Sequence, residues 1–492
     1  MPMYKSRAKV NLPVLMRVTG WLLMIEAAFM LFPLLTCLIY GESDYMAFLI
    51  ATAITATVGG AMTFLIKPTR NDMAKREGFL LTALVWVIFS LFGMIPFLLS
   101  STHYSISDAF FEAMSGFTTT GVSALSSVEQ LSHGLHLWRC LMQWIGGMGI
   151  ILFTLAVIPM LNHSGGMQMF NAEVTGITRD KIRPRVSQTA KSLWLIYFLF
   201  SVTLCLLLWA GPMDFFDSMC HALSSMSTGG FSTRDAGIAA WESNYLKIVL
   251  IIFMFIGGIN FALIYKASVG DFKSFRENDS FKAYLKIIGL ALIAFIIAIT
   301  LSGQAVSWES VTIDPLFQIV SALSSTGYTT SDFENWGTFI LLVTFILMFF
   351  GACAGSTSGG AKIDRLIFML KNLRNEVHHC IQPNAILSVR VNGRVIAPEL
   401  VSKVMAFLWI YVLIIIAGGV ILTSLGMSMT DAFYSAFSCV SNTGLTSAVT
   451  GNGNVYAIMP DIGKWVLSFL MLVGRLELFT VLVLFSRSFW RK

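Results

Sequence analysis

The sequence predicts an all-α integral membrane protein of ten transmembrane helices. Two leading helices are followed by four repeats of helix, short helix and helix around a pseudo-fourfold axis. Three observations carry this. Apolar runs long enough to cross a bilayer recur along the chain. A polar motif returns four times in fixed register between them. Basic residues gather in clusters that the resulting topology places on one side.

Hydrophobic residues make up 56% of the 492-residue chain and charged residues only 12%; mean hydropathy is +0.74. Soluble domains carry about twice that charged share. The spans fall near 14–40, 46–66, 77–100, 137–160, 190–210, 245–266, 284–302, 337–370, 402–425 and 463–486, the eighth being interrupted. The first lacks a short apolar core with a small-residue cleavage site, so it reads as a spanning helix and not a signal peptide. Five of the seven cysteines (Cys37, Cys140, Cys205, Cys220, Cys439) lie in or beside apolar helices without metal-ligand spacing, and read as small packing residues.

Of the 33 Lys and Arg, 28 fall in six clusters, at 5–17, 67–76, 179–191, 266–286, 362–403 and 487–492. With ten spans all six share one side, which the positive-inside bias makes the cytoplasm, so both termini are expected there. The remaining five are Arg139, Arg234, Lys247, Lys464 and Arg475. The net charge of +6 thus reflects topology. It does not argue for nucleic acid, since no basic stripe with interleaved aromatics appears.

The motif DAFFEAMSGFTTTGVS (108–123) returns as DSMCHALSSMSTGGFS (217–232), DPLFQIVSALSSTGYT (314–329) and DAFYSAFSCVSNTGLT (431–446). In each copy an Asp stands 13 residues before a Gly: Asp108 and Gly121, Asp217 and Gly230, Asp314 and Gly327, Asp431 and Gly444. One such stretch would read as helix packing by small residues; four in register do not. About ten apolar residues cannot span a bilayer but can enter it as a short helix. Asp is a good N-cap, and Pro315 after Asp314 suits a first helical position. Each short helix would then point its partially negative C-terminal end inward, toward a common axis that favours a cation. Irregular backbone at membrane depth is tolerated where it is buried in protein or lines a water-filled path. A run ending in Gly can turn carbonyls toward that path, and rings of carbonyl oxygens replace the water shell of a dehydrated ion. The candidate rings are Thr118–Gly121, Ser227–Gly230, Ser324–Gly327 and Ser441–Gly444. The residues expected to bind the ion are Thr119, Thr120, Gly121, Thr228, Gly229, Gly230, Ser325, Thr326, Gly327, Asn442, Thr443 and Gly444. Gly229 and Asn442 break the side-chain pattern, so the filter is expected to be regular in backbone and imperfect in side chains.

On these motifs the chain resembles the ion-conducting subunits of the Trk, Ktr and HKT superfamily of potassium transporters, most closely the TrkH type. The resemblance covers all four repeats, and the two leading helices fit the Trk branch. It implies four helix–pore-helix–helix repeats around one pore within a monomer, and potassium selectivity associated with Gly121 in the first filter loop. It implies a cytosolic nucleotide-binding regulatory subunit of the TrkA type, a homodimer, and a bacterial inner-membrane location. No cofactor is expected on this chain; potassium is the substrate, and a nucleotide belongs only to the partner. The organisation reads as 1–70 leading helices, 71–165 repeat one, 185–268 repeat two, 280–380 repeat three, 381–400 a cytoplasmic hairpin loop and 401–492 repeat four.

The third repeat contains GACAGSTSGG, 351–360, in which four of ten residues are Gly. Each Gly costs about 1 kcal/mol in a helix relative to Ala, so this run breaks the eighth span. It reads as a movable loop below the filter, with Gly351, Gly355, Ser356, Thr357, Ser358, Gly359 and Gly360 as gate residues; close packing through small residues is the alternative. The other repeats show only Gly146–Gly147, Gly257–Gly258 and Gly474 at this level, so the long run is particular to repeat three. The TrkH resemblance also implies an obstructing intramembrane loop here. Arg475 lies inside the last span, where a charge costs about 2.5–3.5 kcal/mol and is normally functional or paired. It is expected to face the pore and hold the loop. Glu477 lies on another helical face and is not an obvious partner. Glu26 reads as structural or close to the interface.

Outer-loop acids such as Glu42, Asp44, Glu129, Asp235 and Glu309 could enrich cations or simply be solvated. His378, His379 and Cys380 read as a solvated face. SVRVNGRVI, 388–396, predicts a hairpin with a primed turn at Asn392–Gly393. No GxxxxGK[ST], GxSxG or HExxH occurs, so an enzyme is not expected. A secondary transporter coupling potassium to protons or sodium is the second functional reading, and the scarcity of deep carboxylates favours channel-like flow over it.

Overall fold

The computed structural model describes residues 10–68, 73, 75–102, 104–149, 186–303, 307–330, 336–385, 387–445 and 455–490. The later part of the fourth span (150–160) and the basic residues 179–185 lie outside them. Among the described residues the regular structure is helical apart from one short hairpin.

The leading helices are α1 (Leu12–Tyr40) and α2 (Tyr45–Phe64), reversed at Gly41, whose φ of 69° a side chain would resist. They pack face to face because two glycines meet. A Cβ added to Gly20 would stand 2.7 Å from the Gly59 carbonyl oxygen, and one on Gly59 2.9 Å from the Gly20 carbonyl oxygen. Small residues let helix backbones approach where lipid removes any hydrophobic drive between helices. The lipid-facing side of α1 exposes Leu31, Phe32, Leu35 and Leu38.

Repeat one contains α3 (Lys75–Gly93), α4 (Ile95–Leu99), the short helix α5 (Ile106–Phe117) and α6 (His133–Gly147). Repeat two contains α7 (Val186–Trp209), the short helix α8 (Phe215–Met226), α9 (Asn244–Gly257) and α10 (Phe261–Ser268). Repeat three contains α11 (Asp279–Leu301), the short helix α12 (Trp308–Leu323), α13 (Thr338–Phe350) and α14 (Ile363–Ile381). Repeat four contains α15 (Pro398–Ser424), the short helix α16 (Met429–Ser441), α17 (Asp461–Arg475) and α18 (Phe479–Phe485). The second long helix of each repeat packs on the short helix of the next: α6 on α8, α9 on α12, α13 on α16, and α17 back on α5. That last contact closes the circle.

Six helical segments are long and apolar enough to cross a membrane, or eight if two bent pairs each count as a span, among the described residues. The bent pairs add two breaks to the one expected in the eighth span. α9 and α10 meet at 100°, and α17 and α18 at 115°. The first break follows Gly257–Gly258, where Asn260 caps a new helix by accepting the Ala262 amide. The second falls at Glu477 and Leu478, both with positive φ (55° and 51°). Neither carries a long glycine run, so composition did not announce them.

The short helices also begin differently from the sequence expectation. The caps are Ser105, Asp214, Ser307 and Ser428, each side chain accepting an amide three residues on. Asp108, Asp217 and Asp431 therefore occupy the third helical position, where a carboxylate still meets the positive helix end. Asp314 and Pro315 lie inside α12, which starts earlier because Ser307 and Ser310 form a reciprocal capping box. Asp108 holds Lys464, Asp217 holds Arg234 and Asp314 holds Lys247. The outer acids act as loop braces. Glu42 holds His133, Asp44 takes the Ser101 amide and the Ser132 hydroxyl, and Asp235 takes the Ser127 hydroxyl and the Val128 amide.

Strands β1 (Arg390–Val391) and β2 (Arg394–Val395) form the expected hairpin, with Asn392 and Gly393 both at positive φ (49° and 74°). It is tied to α11 and α14. The Asn392 side chain accepts the Asp279 amide at 2.7 Å, and Lys371 donates to Asp279 at 2.9 Å and to the Arg390 carbonyl at 2.7 Å.

The Gly20–Gly59 contact predicts that Gly20→Ala lowers the melting temperature in detergent, through overpacking of about 1–3 kcal/mol. Gly60→Ala, at a position facing open space, leaves it unchanged; equal behaviour of the two variants contradicts the packing argument.

Candidate functional site

The four short helices end in the same way. The amide of Thr119 reaches the Gly116 carbonyl at 3.0 Å, and that of Thr120 reaches Ser115 at 2.9 Å. The pattern recurs as Thr228 to Ser225 with Gly229 to Ser224, Ser325 to Ala322 with Thr326 to Ser321, and Asn442 to Cys439 with Thr443 to Ser438. These are Schellman closures, in which the residue after the cap is left-handed. That residue is usually Gly; here it is Thr119, Thr228, Ser325 or Asn442, with φ of 54°, 53°, 56° and 49°. A left-handed non-glycine costs about 1–2 kcal/mol. The closure consumes the amides of the first two loop residues on the helix's own last turn.

Two residues on, Gly121, Gly230, Gly327 and Gly444 have φ of 84°, 82°, 79° and 78°. Their neighbours define a ring. A Cβ on Gly121 would stand 1.9 Å from the Gly229 carbonyl oxygen, one on Gly230 1.9 Å from that of Thr326, one on Gly327 2.1 Å from that of Thr443, and one on Gly444 2.1 Å from that of Thr120. Each loop presses its glycine against the next repeat's carbonyl, and the fourth presses against the first. The twelve residues expected to bind the ion are thus brought together in four adjoining loops.

The side chains are less regular. Hydroxyls two residues apart pair at 2.8 Å in three loops: Thr118 with Thr120, Ser324 with Thr326, and Ser441 with Thr443. Repeat two has Gly229 in place of the second hydroxyl, and the amide of Gln143 from α6 takes over. In repeat four the Asn442 side chain crosses to repeat one, donating to the Thr120 hydroxyl at 2.9 Å and to the Met471 carbonyl at 3.0 Å.

Behind the ring lies a buried ion pair that sequence reasoning missed. Glu112, fully buried in α5, accepts from Arg139 Nε at 2.6 Å, from the Ser123 hydroxyl at 3.0 Å and from the Ala124 amide at 3.2 Å. Arg139 also donates to the Ser232 carbonyl at 3.3 Å and lies over the Phe231 ring. The pair thereby ties together the segments that follow Gly121 and Gly230. The signal was available: the residue four after each motif Asp is Glu112, His221, Gln318 or Ser435, polar in all four copies. Glu26 is buried mid-helix, and neither carboxylate oxygen has a hydrogen-bond partner among the described residues.

The glycine run 351–360 sits against the inner ends of the short helices. Thr357 donates its hydroxyl to the carbonyls of Met226 (3.3 Å) and Gly257 (3.1 Å). The Gly359 amide reaches the Ser325 hydroxyl, and the Gly360 amide reaches the Ser441 carbonyl at 2.9 Å. Gly351 ends α13, Gly355 faces the Asn260 amide group, and Ser356 and Ser358 hold each other at 3.1 Å. The two breaks satisfy one another's backbone. The Cys353 amide bonds the Gly258 carbonyl, the Phe261 amide the Gly355 carbonyl, and the Thr357 amide the Gly257 carbonyl. Arg475 holds the loop from the fourth repeat, donating to the Thr357 carbonyl at 3.1 Å and to the Gly146 carbonyl at 2.7 Å. Glu477 pairs with Arg365. Lys362, buried at positive φ, donates to the Ser358 carbonyl, and Asp364 takes the Ala354 amide at 2.7 Å; neither was singled out from sequence.

The family model for TrkH, described as a cation transport protein, matches residues 44–492. The chain belongs to the TrkH family of cation transport proteins. It is 34% identical over 480 residues to the Trk system potassium uptake protein TrkH of Escherichia coli (strain K12), with 97% of this chain and 99% of that protein covered. It is also 34% identical to the Trk system potassium uptake protein TrkI of Halomonas elongata, with 97% of each covered. The crystal structure of the potassium transporter TrkH from Vibrio parahaemolyticus superposes with a TM-score of 0.88 at 29% identity, over 98% of this chain and all of that one. Like these TrkH relatives, the chain is a multi-pass membrane protein.

Breaking a buried ion pair by removing one partner costs about 3–5 kcal/mol. Glu112→Ala is therefore expected to lower the melting temperature in detergent markedly more than Glu129→Ala in the outer loop. Equal melting of the two variants counts against the brace.

Proposed function

We propose that this chain takes up potassium across the bacterial inner membrane through a filter of four re-entrant loops. The observation that carries the reading is the closed ring of glycine-to-carbonyl contacts among Gly121, Gly230, Gly327 and Gly444. In this reading the four loops offer backbone oxygens around one axis, at the partially negative ends of four helices. Carbonyl rings of this kind substitute for the water a dehydrated cation gives up. The names of the TrkH and TrkI relatives supply potassium as the cation.

The loop 351–360 is the gate in this reading. It occupies the inner ends of the short helices of repeats two and four and is held by Arg475, whose charge also opposes a passing cation. Opening requires several of these bonds to release together. The hairpin at β1 and β2 is the docking face for a cytosolic nucleotide-binding subunit of the TrkA type. Its tie through Lys371 and Asp279 to α14, and through Asp364 to Ala354, offers a route from that face to the gate. The clusters of Lys and Arg favour cytoplasmic termini, and a homodimer completes the assembly expected of the family.

Rubidium uptake into liposomes containing this chain tests the reading. Saturable uptake that potassium competes for more strongly than sodium is expected, and Gly121→Ser narrows that preference; an unchanged ion ratio refutes the filter assignment. Imposing proton and sodium gradients separates passive flow from coupling, and enclosing the regulatory subunit with ATP or ADP tests nucleotide control.

Arg475→Ala is expected to raise basal rubidium flux several-fold at matched protein level, since a charge-assisted bond to the loop contributes about 1.5–3 kcal/mol. Equal or lower flux removes Arg475 from the gate.

A further inference from the structure

We propose that Gln143 of α6 is the positioning residue of the second filter loop, setting the discrimination between potassium and sodium by fixing the Gly229 carbonyl. This rests on the four loops forming the filter. In loops one, three and four a hydroxyl pair stitches the first residue to the third. Loop two has Ser227 at the first place but Gly229 at the third, so that stitch is missing.

Gln143 occupies the vacated volume. A Cβ on Gly229 would stand 2.3 Å from the Gln143 carboxamide carbon, so the glutamine sits where a threonine side chain stands in the other loops. Its Nε2 donates to the Gly229 carbonyl at 2.7 Å. Its Oε1 accepts from the Ser224 hydroxyl at 2.7 Å and from the Phe231 amide at 3.3 Å. In repeats one and three the serine at the Ser224 register instead bonds directly to the residue after the filter glycine: Ser115 to the Val122 carbonyl at 2.6 Å, and Ser321 to the Tyr328 carbonyl at 2.7 Å. One amide from a neighbouring helix thus performs two tasks, the hydroxyl stitch and part of the serine link. Gln143 is completely buried.

The Gly229 carbonyl is the one against which Gly121 is pressed. A bond that fixes its direction fixes the first contact of the ring, and potassium and sodium differ in the oxygen spacing they require. Glutamine and glycine are therefore interdependent: Gly229 makes room for Gln143, and Gln143 replaces what Gly229 lacks.

The test uses the full chain in liposomes, with rubidium uptake competed by potassium and by sodium, and melting in detergent measured alongside. Gln143→Ala is expected to reduce the potassium-over-sodium competition ratio by roughly two- to tenfold, the range one lost hydrogen bond spans. Gly229→Thr alone, forced against Gln143, is also expected to lose discrimination. Gln143→Ala combined with Gly229→Thr rebuilds the Ser–Thr pair of loops three and four and is expected to recover the ratio, which general loosening of the fold would not do. If Gln143→Ala does not fold, Gln143→Met keeps the volume without the donor and is expected to show the same loss. A wild-type ratio in both Gln143 variants, or a double variant no better than the singles, overturns the assignment. If Gly121→Ser shifts the ratio while the Gln143 variants do not, only this inference falls; if neither shifts it, the filter reading falls as well.

Discussion

The structure depends on how four short helices are finished. Each spends its terminal amide donors on its own last turn through a left-handed residue that is not glycine, which turns the following backbone toward its neighbours. The glycine two places later is then required by contact, because the next loop's carbonyl lies within 2.1 Å of where a side chain would begin. One local closure, repeated four times, thereby brings each glycine against its neighbour and fixes the tightness of the ring.

The long helices around the ring support it from behind. The second long helix of each repeat braces the short helix of the next, so no repeat is held by its own elements alone. Four of the five basic residues outside the six clusters are absorbed into this bracing: Arg139 by Glu112, Arg234 by Asp217, Lys247 by Asp314 and Lys464 by Asp108. Arg475 differs, reaching carbonyls on two other repeats. Below the ring, the broken spans of repeats two and three share their freed backbone groups, which lets irregular chain exist at membrane depth.

Much of this was legible in the sequence, because a repeat states the same constraint four times. The Asp-to-Gly register located the short helices and the loops, and the glycine run located the broken third repeat. The caps were misplaced because Ser105, Ser307 and Ser428 resemble any loop serine, whereas the Asp recurs visibly. The bends at Asn260, an ordinary extended N-cap, and at Glu477–Leu478, both at positive φ, were not read because neither carries the run of glycines that marks 351–360. Glu112 lay within reach of the repeat as the polar residue four after each motif Asp, but its partner Arg139 and the loop partner of Gln143 did not. A side chain that matters through a partner about 30 or 90 positions away leaves no local periodicity.

A ring assembled from identical subunits changes everywhere when it changes at all. Here one covalent chain supplies four unlike quarters, and the quarter containing Gly229 uses an amide from a neighbouring helix where the others use a hydroxyl of their own. A single codon can therefore alter one side of the ring while the other three keep their own residues, a graded adjustment that a strictly symmetric assembly lacks.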